Sequence, residues 1–168
     1  MDLKKTTRLA MLLSISIILS ILESLIPIFS FIPGLKIGLA NVIILFIIYV
    51  YSFKDALYVS ILRVIIVGIL KTGLFSITFF FSLSGAIFSI FFMFIFKKFT
   101  NLSIIGISII GAISHSIGQI IIAIIFLNNM DLIYYSPYLL IFSIPMGIVV
   151  GLISKQVLNE YENLWYNL

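Results

Sequence analysis

The stretch at residues 75–96 reads FSITFFFSLSGAIFSIFFMFIF and ends against the pair Lys97-Lys98. It contains no charged residue, and it is as long as the ~20 predominantly apolar residues that a membrane-spanning helix needs. Because the apolar run is continuous, without the alternation of lipid-facing and lumen-facing residues, a membrane β-barrel is excluded. The stretch therefore predicts a helix that crosses a lipid bilayer.

The composition of the whole chain places it in the same class. The 168 residues are 62% hydrophobic and 10% charged, with a mean hydropathy of +1.31. A soluble domain of this length cannot hide so much apolar surface, so we expect an all-α polytopic membrane protein. The net charge of +4 comes without an arginine-rich patch or an aromatic platform, so we expect no nucleic acid partner. Without cysteine, the chain has no disulfide and no thiolate chemistry.

Turn residues and charges divide the chain into six apolar segments, which predict six transmembrane helices in one membrane domain of residues 1–168. The predicted helices are residues 8–27, 37–53, 55–71, 75–96, 102–127 and 136–155. The basic N-terminus followed by an apolar run resembles a signal peptide. No A-x-A-like cleavage site follows it, so we expect a retained first helix.

The distribution of lysine and arginine predicts the orientation. With the N-terminus inside, the cytoplasmic flanks hold seven basic residues and the outer side holds two. The seven are Lys4, Lys5, Arg8, Lys54, Lys97, Lys98 and Lys155, and the two are Lys36 and Lys71. This positive-inside bias predicts a multi-pass protein of the cell membrane with both termini in the cytoplasm.

Several polar side chains lie within or beside the apolar segments. Such a group is costly in hydrocarbon unless it faces a cavity or a partner, so each is a candidate functional residue. We take seven as candidate substrate-binding residues: Glu23, Lys36, Asn41, Arg63, Lys71, His115 and Gln119. Most of them fall in the outer half of the predicted bilayer. We therefore expect a ligand pocket that opens outward.

Each candidate also has a purely structural interpretation. Arg63 could be the ion-pair partner of Glu23. Lys36 and Lys71 could extend to the outer interface, where a long side chain keeps its charge in water. The single histidine could be satisfied by Gln119, one turn further along the same helix face. Since the cations outnumber the one carboxylate, an empty pocket would be positively charged. This favours an anionic or electron-rich ligand, such as a phosphorylated isoprenoid or a quinone-like head group.

Small residues recur one turn apart on the first helix, at Ala10 and Ser14. Small residues at this spacing let two helices approach closely. The pair therefore indicates either internal packing or a docking face for another membrane protein, and spacing alone does not separate the two.

The inventory of reactive side chains argues against an enzyme. One histidine and no cysteine leave no metal site, and no Walker A sequence is present. Asp2, Asp55 and Asp131 are too far apart in the chain to hold magnesium and a diphosphate together. We expect no catalytic residue and no cofactor.

Four local motifs are the most specific in the chain: PGLKIGLAN at residues 33–41, SILR at 60–63, SLSG at 82–85 and GISIIGAISH at 106–115. In this order and spacing the chain resembles the Gx transporter family, whose members are often named heptaprenyl diphosphate synthase component I. The resemblance covers about residues 22–151. The family usually has asparagine directly after the histidine, where this chain has Ser116.

That family is similar to the substrate-binding (S) components of energy-coupling-factor (ECF) transporters, which have six helices and an outward-facing pocket. The resemblance implies import of a small molecule with a membrane coupling protein and two cytoplasmic ATPases as partners. It also implies that Ala10 and Ser14 form the docking face. The alternative, which follows the synthase name, is a non-catalytic membrane component associated with heptaprenyl diphosphate synthase in isoprenoid quinone biosynthesis.

Overall fold

A computed structural model describes residues 3–25 and 36–166 of the chain. Within these ranges the structure consists of six α-helices: α1 (Leu3–Leu25), α2 (Leu39–Val50), α3 (Phe53–Val67), α4 (Ile77–Phe99), α5 (Ile104–Leu127) and α6 (Ser136–Tyr166). A π-helical turn, Gly68–Thr72, continues α3, and a 3₁₀ helix, Met130–Tyr135, leads into α6. The all-helical prediction is thus confirmed for the described residues.

Serine side chains explain where three of the helices begin. Ser52, Ser76 and Ser103 each precede a helix and accept a hydrogen bond from the backbone N–H three residues later. This satisfies one of the N–H groups that the first turn of a helix leaves free. The caps place the starts of α4 and α5 two residues later than the predicted 75 and 102.

Helix α6 is longer than predicted: it ends at Tyr166, whereas the predicted segment ends at residue 155. Although the sequence becomes polar after Lys155, the buried face continues through Leu158, which is 5% exposed. Tyr161 then packs edge-on against Phe46 of α2, with ring centroids 5.2 Å apart. These contacts hold the last turns of the helix against the bundle.

The centre of the bundle is the short helix α2. Most of it is buried, and Ile44, Leu45 and Ile47 have no exposed surface. Helices α1, α2 and α3 contact one another, and α5 packs between α4 and α6. Helices α2 and α3 join these two groups through contacts with α6 and α4.

The crossing of α5 and α6 relies on glycine. A side chain at Gly147 would lie 2.7 Å from the Ile109 Cα atom, and one at Gly151 would lie 2.7 Å from the Ile105 Cα atom. The two backbones therefore meet directly. This is the close approach that small residues allow between membrane helices.

Among the described residues, four helices are long and apolar enough to cross a membrane: Leu3–Leu25, Ile77–Phe99, Ile104–Leu127 and Met130–Asn163. The chain is therefore a helical membrane protein. Helix α2 has 12 residues and spans ~18 Å, less than the ~30 Å of a bilayer core and less than the predicted segment 37–53. Helix α3 and its π turn extend over ~30 Å.

Two lysines, Lys5 and Lys97, make contacts at one end of this bundle. Lys5 pairs with Asp55 at 2.8 Å, which brings the start of α1 to the start of α3. Lys97 donates to the Ile48 carbonyl oxygen at 2.6 Å and lies over the Tyr49 ring. The negative end of the α2 helix dipole also stabilises a lysine at this position. The opposite end of the bundle holds the polar candidates described next.

Candidate binding site

Glu23 of α1 holds the N-terminus of α2. Its Oε1 atom accepts a hydrogen bond from the Gly38 N–H at 2.6 Å, and its Oε2 atom accepts one from the Leu39 N–H at 3.1 Å. A carboxylate is favoured here because the first N–H groups of a helix are free and carry partial positive charge. Gly38 has a left-handed backbone with φ +84°, which other residues rarely adopt. Glu23 therefore acts as a helix cap supplied by a neighbouring helix.

Arg63 of α3 is buried, with 6% of its surface exposed. Its Nη1 atom donates to the Asn41 Oδ1 atom of α2 at 3.4 Å, a long hydrogen bond. The charges of Arg63 and Glu23 interact, but no direct ion pair joins these two described residues. Because a guanidinium has five N–H donors, one long bond leaves most of its capacity unused by the part of the chain that the structure describes.

Two lysines complete the positive charge at this end. The Lys36 Nζ atom lies 3.4 Å from the Ser82 Oγ atom of α4, and the charge of Lys36 interacts with those of Glu23 and Arg63. The Lys71 Nζ atom donates to the Ser24 carbonyl oxygen at 3.2 Å, near the end of α1. Both lysine side chains are exposed. Lys71 thus has a structural contact at a helix C-terminus, where a cation is favoured.

His115 of α5 packs against α4 at a glycine. A side chain at Gly85 would lie 2.7 Å from two atoms of the imidazole, so the ring packs directly on the α4 backbone. The His115 Nδ1 atom and the Gln119 Oε1 atom are buried without a hydrogen-bond partner among the described residues. His115 also interacts electrostatically with the positive charges of Lys36 and Arg63. His115 therefore has an unused polar atom near two cations, and Gln119 has one on the next turn of α5.

A small cavity of about 20 Å³ lies between α2, α4, α5 and α6. Its polar lining is Asn41, Ser89 and Ser108, and its apolar lining includes Ile37, Met93 and Val150. The Ser89 and Ser108 hydroxyls are buried and have no hydrogen-bond partner among the described residues. An unpaired buried hydroxyl costs about 1–3 kcal/mol. The cavity adjoins the Arg63 site, because Asn41 belongs to both.

Sequence reasoning did not select Ser89 and Ser108 as site residues. Ser89 follows Ser82 and Gly85 on α4 at helical spacing, and small residues in this pattern are typical of a packing surface. Sequence cannot reveal whether a helix serine bonds its own backbone or faces a cavity, so no local signal separates these two serines from the others.

Ser116 takes no part in this arrangement. Its Oγ atom is 2.6 Å from the Ser143 Oγ atom of α6, and the Ser143 hydroxyl donates to the Leu139 carbonyl oxygen. Ser116 therefore links α5 to α6 on a different face from the one that His115 presents to α4.

The arrangement offers hydrogen-bond donors, acceptors and positive charge. In the part of the chain that the structure describes, no group of three or more His, Cys, Asp or Glu residues could hold a metal ion. What converges at this end is a buried arginine, an exposed lysine, a carboxylate held by backbone N–H groups, and unpaired neutral polar atoms. This chemistry is complementary to a small ligand that carries negative charge or acceptor atoms.

The fold defines a helical membrane protein, and several of its polar and basic side chains lie at one end of the bundle. The model of the family described as heptaprenyl diphosphate synthase component I matches residues 12–157, and the chain belongs to that family. Neither the curated proteins nor the solved structures gave a match.

Proposed function

We propose that this protein is a membrane-embedded binding subunit, without catalytic activity of its own, for a small molecule with an anionic or electron-rich head group. The observation that carries this proposal is the burial of Arg63, whose hydrogen bond to Asn41 is long. A buried cation whose bonds to the described residues leave donors unused gains from a charge-assisted bond to an acidic ligand. Lys36 adds a second positive charge near Arg63. The Glu23 carboxylate accepts a hydrogen bond from the Gly38 N–H at the start of α2.

The family supports a role in isoprenoid metabolism, since its description names a component of heptaprenyl diphosphate synthase. In this role the chain is the non-catalytic membrane component, and a soluble prenyltransferase partner performs the chemistry. The positions of the aspartates agree with this division. Asp55 pairs with Lys5 at the basic end, whereas Asp131 lies in the 3₁₀ helix between α5 and α6. They cannot share a magnesium ion.

A second candidate function is that of an S component of an ECF-type transporter, which imports its ligand. The observation that favours it is the exposure of Ala10 and Ser14 on α1. Helix α1 also has the smallest buried share of the four candidate spanning helices. A coupling protein in the membrane could therefore pack closely against this small-residue face. Two cytoplasmic ATPases would then supply the energy.

In both functions the chain crosses the membrane of the cell six times, with both termini in the cytoplasm. The basic end formed by Lys5, Lys54 and Lys97 then faces the cytoplasm, as the positive-inside rule favours. The Arg63 site faces outward. Helix α2 is short for a crossing, but it is enclosed by the other helices, so its ends need not reach either lipid interface.

The test is a mass-spectrometric inventory of small molecules that co-purify with the protein in nanodiscs, for the wild type and for Arg63→Ala. We expect acidic compounds to be retained by the wild type and reduced more than tenfold in Arg63→Ala, because losing one partner of a charged contact costs ~2–5 kcal/mol. His115→Ala and Gln119→Ala should have smaller effects, since neutral hydrogen bonds contribute about 0.5–1.5 kcal/mol. Lys155→Ala, at an exposed position on α6, is the control.

A folded Arg63→Ala protein that retains the same compounds as the wild type would disprove the proposed site. Proteins captured in the same purification separate the two functions. A soluble prenyltransferase supports the synthase component, and a membrane coupling protein with two ATPases supports the transporter.

A further inference from the structure

The hydroxyls of the helix serines differ in their partners. Ser14, Ser143 and Ser154 donate to the backbone carbonyl one turn earlier, as serine commonly does in a membrane helix. Four buried serines have hydroxyls without a hydrogen-bond partner among the described residues: Ser16, Ser60, Ser89 and Ser108. Of these four, Ser89 and Ser108 also line a cavity.

Both hydroxyls line the cavity between α2, α4, α5 and α6. They come from different helices, Ser89 from α4 and Ser108 from α5, and they meet the Asn41 side chain of α2 there. The buried Ser16 hydroxyl of α1 is also unpaired within the described residues, but it does not line this cavity. Ser16 is thus a matched comparison for a buried serine outside the cavity.

We infer that this cavity is a subsite that binds an uncharged oxygen-bearing group of the ligand, a hydroxyl or a carbonyl, between Ser89 and Ser108. The inference rests on the proposed binding function, in which Arg63 receives the acidic group of the same molecule. Asn41 joins the two places, since its Oδ1 atom accepts from Arg63 while its side chain lines the cavity. The ligand class is therefore a small acid that also carries a hydroxyl or a carbonyl oxygen.

The lining of the cavity selects against other groups. None of the described residues that line it is charged, so a second ionised group would be buried there without a counter-charge. Ile37, Met93 and Val150 provide apolar contact for the carbon atom that carries this oxygen. The volume of about 20 Å³ is room for little more than one water molecule and is far below the ~300–1,000 Å³ of pockets that enclose drug-sized ligands. A single oxygen-bearing group fits within it, whereas a long polyprenyl chain does not.

The experiment measures the binding of two pairs of probes to the full-length protein in nanodiscs. The pairs are benzoate with 4-hydroxybenzoate and butyrate with 4-hydroxybutyrate, so that each pair differs by one hydroxyl group. We expect at least one hydroxylated acid to bind the wild type about tenfold more tightly than its partner, as two neutral hydrogen bonds would allow. The preference should disappear in the double variant Ser89→Ala/Ser108→Ala and persist in Ser16→Ala.

The outcomes separate the subsite from the proposed function. If the acids bind through Arg63 with equal affinity within each pair, or if the preference survives in the double variant, the subsite is wrong and the binding function stands. In that case the cavity holds only ordered water. If none of the four acids binds the wild type, both the subsite and the proposed function are overturned. Because serine and alanine are close in size, thermal melting should confirm that each variant is folded.

Discussion

The Glu23 Oε1 atom lies 2.6 Å from the Gly38 backbone nitrogen, so the end of α1 holds the start of α2. This contact fixes the first turn of α2, which carries Asn41, and Asn41 in turn contacts Arg63. One carboxylate thus positions the site without pairing directly with the arginine. Among the described residues, its two hydrogen bonds go to backbone N–H groups at the start of α2.

Replacing Glu23 should therefore reduce stability. Glu23→Ala removes both hydrogen bonds to the start of α2, and we expect a loss of about 1–3 kcal/mol in the free energy of unfolding. Glu23→Gln keeps one acceptor oxygen and should lose less. Thermal melting in detergent is the measurement, with the exposed Glu160→Ala as the control. Melting of Glu23→Ala at the wild-type temperature would show that the cap contributes nothing.

The orientation can be measured with single cysteines, because the natural chain has none. Asn101 lies between α4 and α5 at the basic end, and Asn129 lies between α5 and α6 at the other end. Both are exposed. We expect a membrane-impermeant thiol reagent to label Asn129→Cys in intact cells and to label Asn101→Cys only after the cells are opened. Labelling of Asn101→Cys from outside would reverse the orientation and turn the Arg63 site toward the cytoplasm.

The close crossing of α4 and α5 predicts different costs for two glycines of one helix. A Cβ atom at Gly118 would lie 2.9 Å from the Ser84 carbonyl oxygen, which is backbone and cannot turn away. Gly118→Ala should therefore cost about 1–3 kcal/mol of stability. Gly106→Ala meets nothing closer than 3.4 Å and should be neutral or stabilising, since alanine favours a helix. Equal melting temperatures of the two variants would contradict this packing.

The sequence predicts the depth of the candidate residues along the helices better than it predicts the contacts between them. Hydrophobic segments and turn residues give each helix a length, and length gives the depth of a residue such as Asn41 or Arg63. The structure joins these two by a hydrogen bond. In contrast, the contact of Glu23 with α2 depends on the left-handed backbone at Gly38 and on how α1 and α2 pack. Neither this backbone conformation nor the packing of the two helices can be read from a pattern in the sequence.

The same limit applies to side chains whose direction matters. Successive residues of a helix point ~100° apart, so neighbours in sequence meet different partners. His115 meets Gly85 of α4, whereas Ser116 meets Ser143 of α6. Small residues predict that helices approach closely, but they do not predict which serines face a cavity. That distinction depends on the tertiary arrangement alone.

The exposed face of α1 provides a final prediction, which concerns the partner. Ala10 and Ser14 are exposed, and the Ser14 hydroxyl is satisfied within the helix by the Ala10 carbonyl oxygen. Leucine at these positions costs little against lipid but blocks a close helix crossing. If a coupling protein docks here, Ala10→Leu/Ser14→Leu should lose co-purification with it while melting like the wild type. Ile18→Leu, on an exposed residue one turn further along, is the control with unchanged side-chain volume. Complex formation by the double variant at the wild-type level would assign this face to lipid and leave the synthase component as the proposed function.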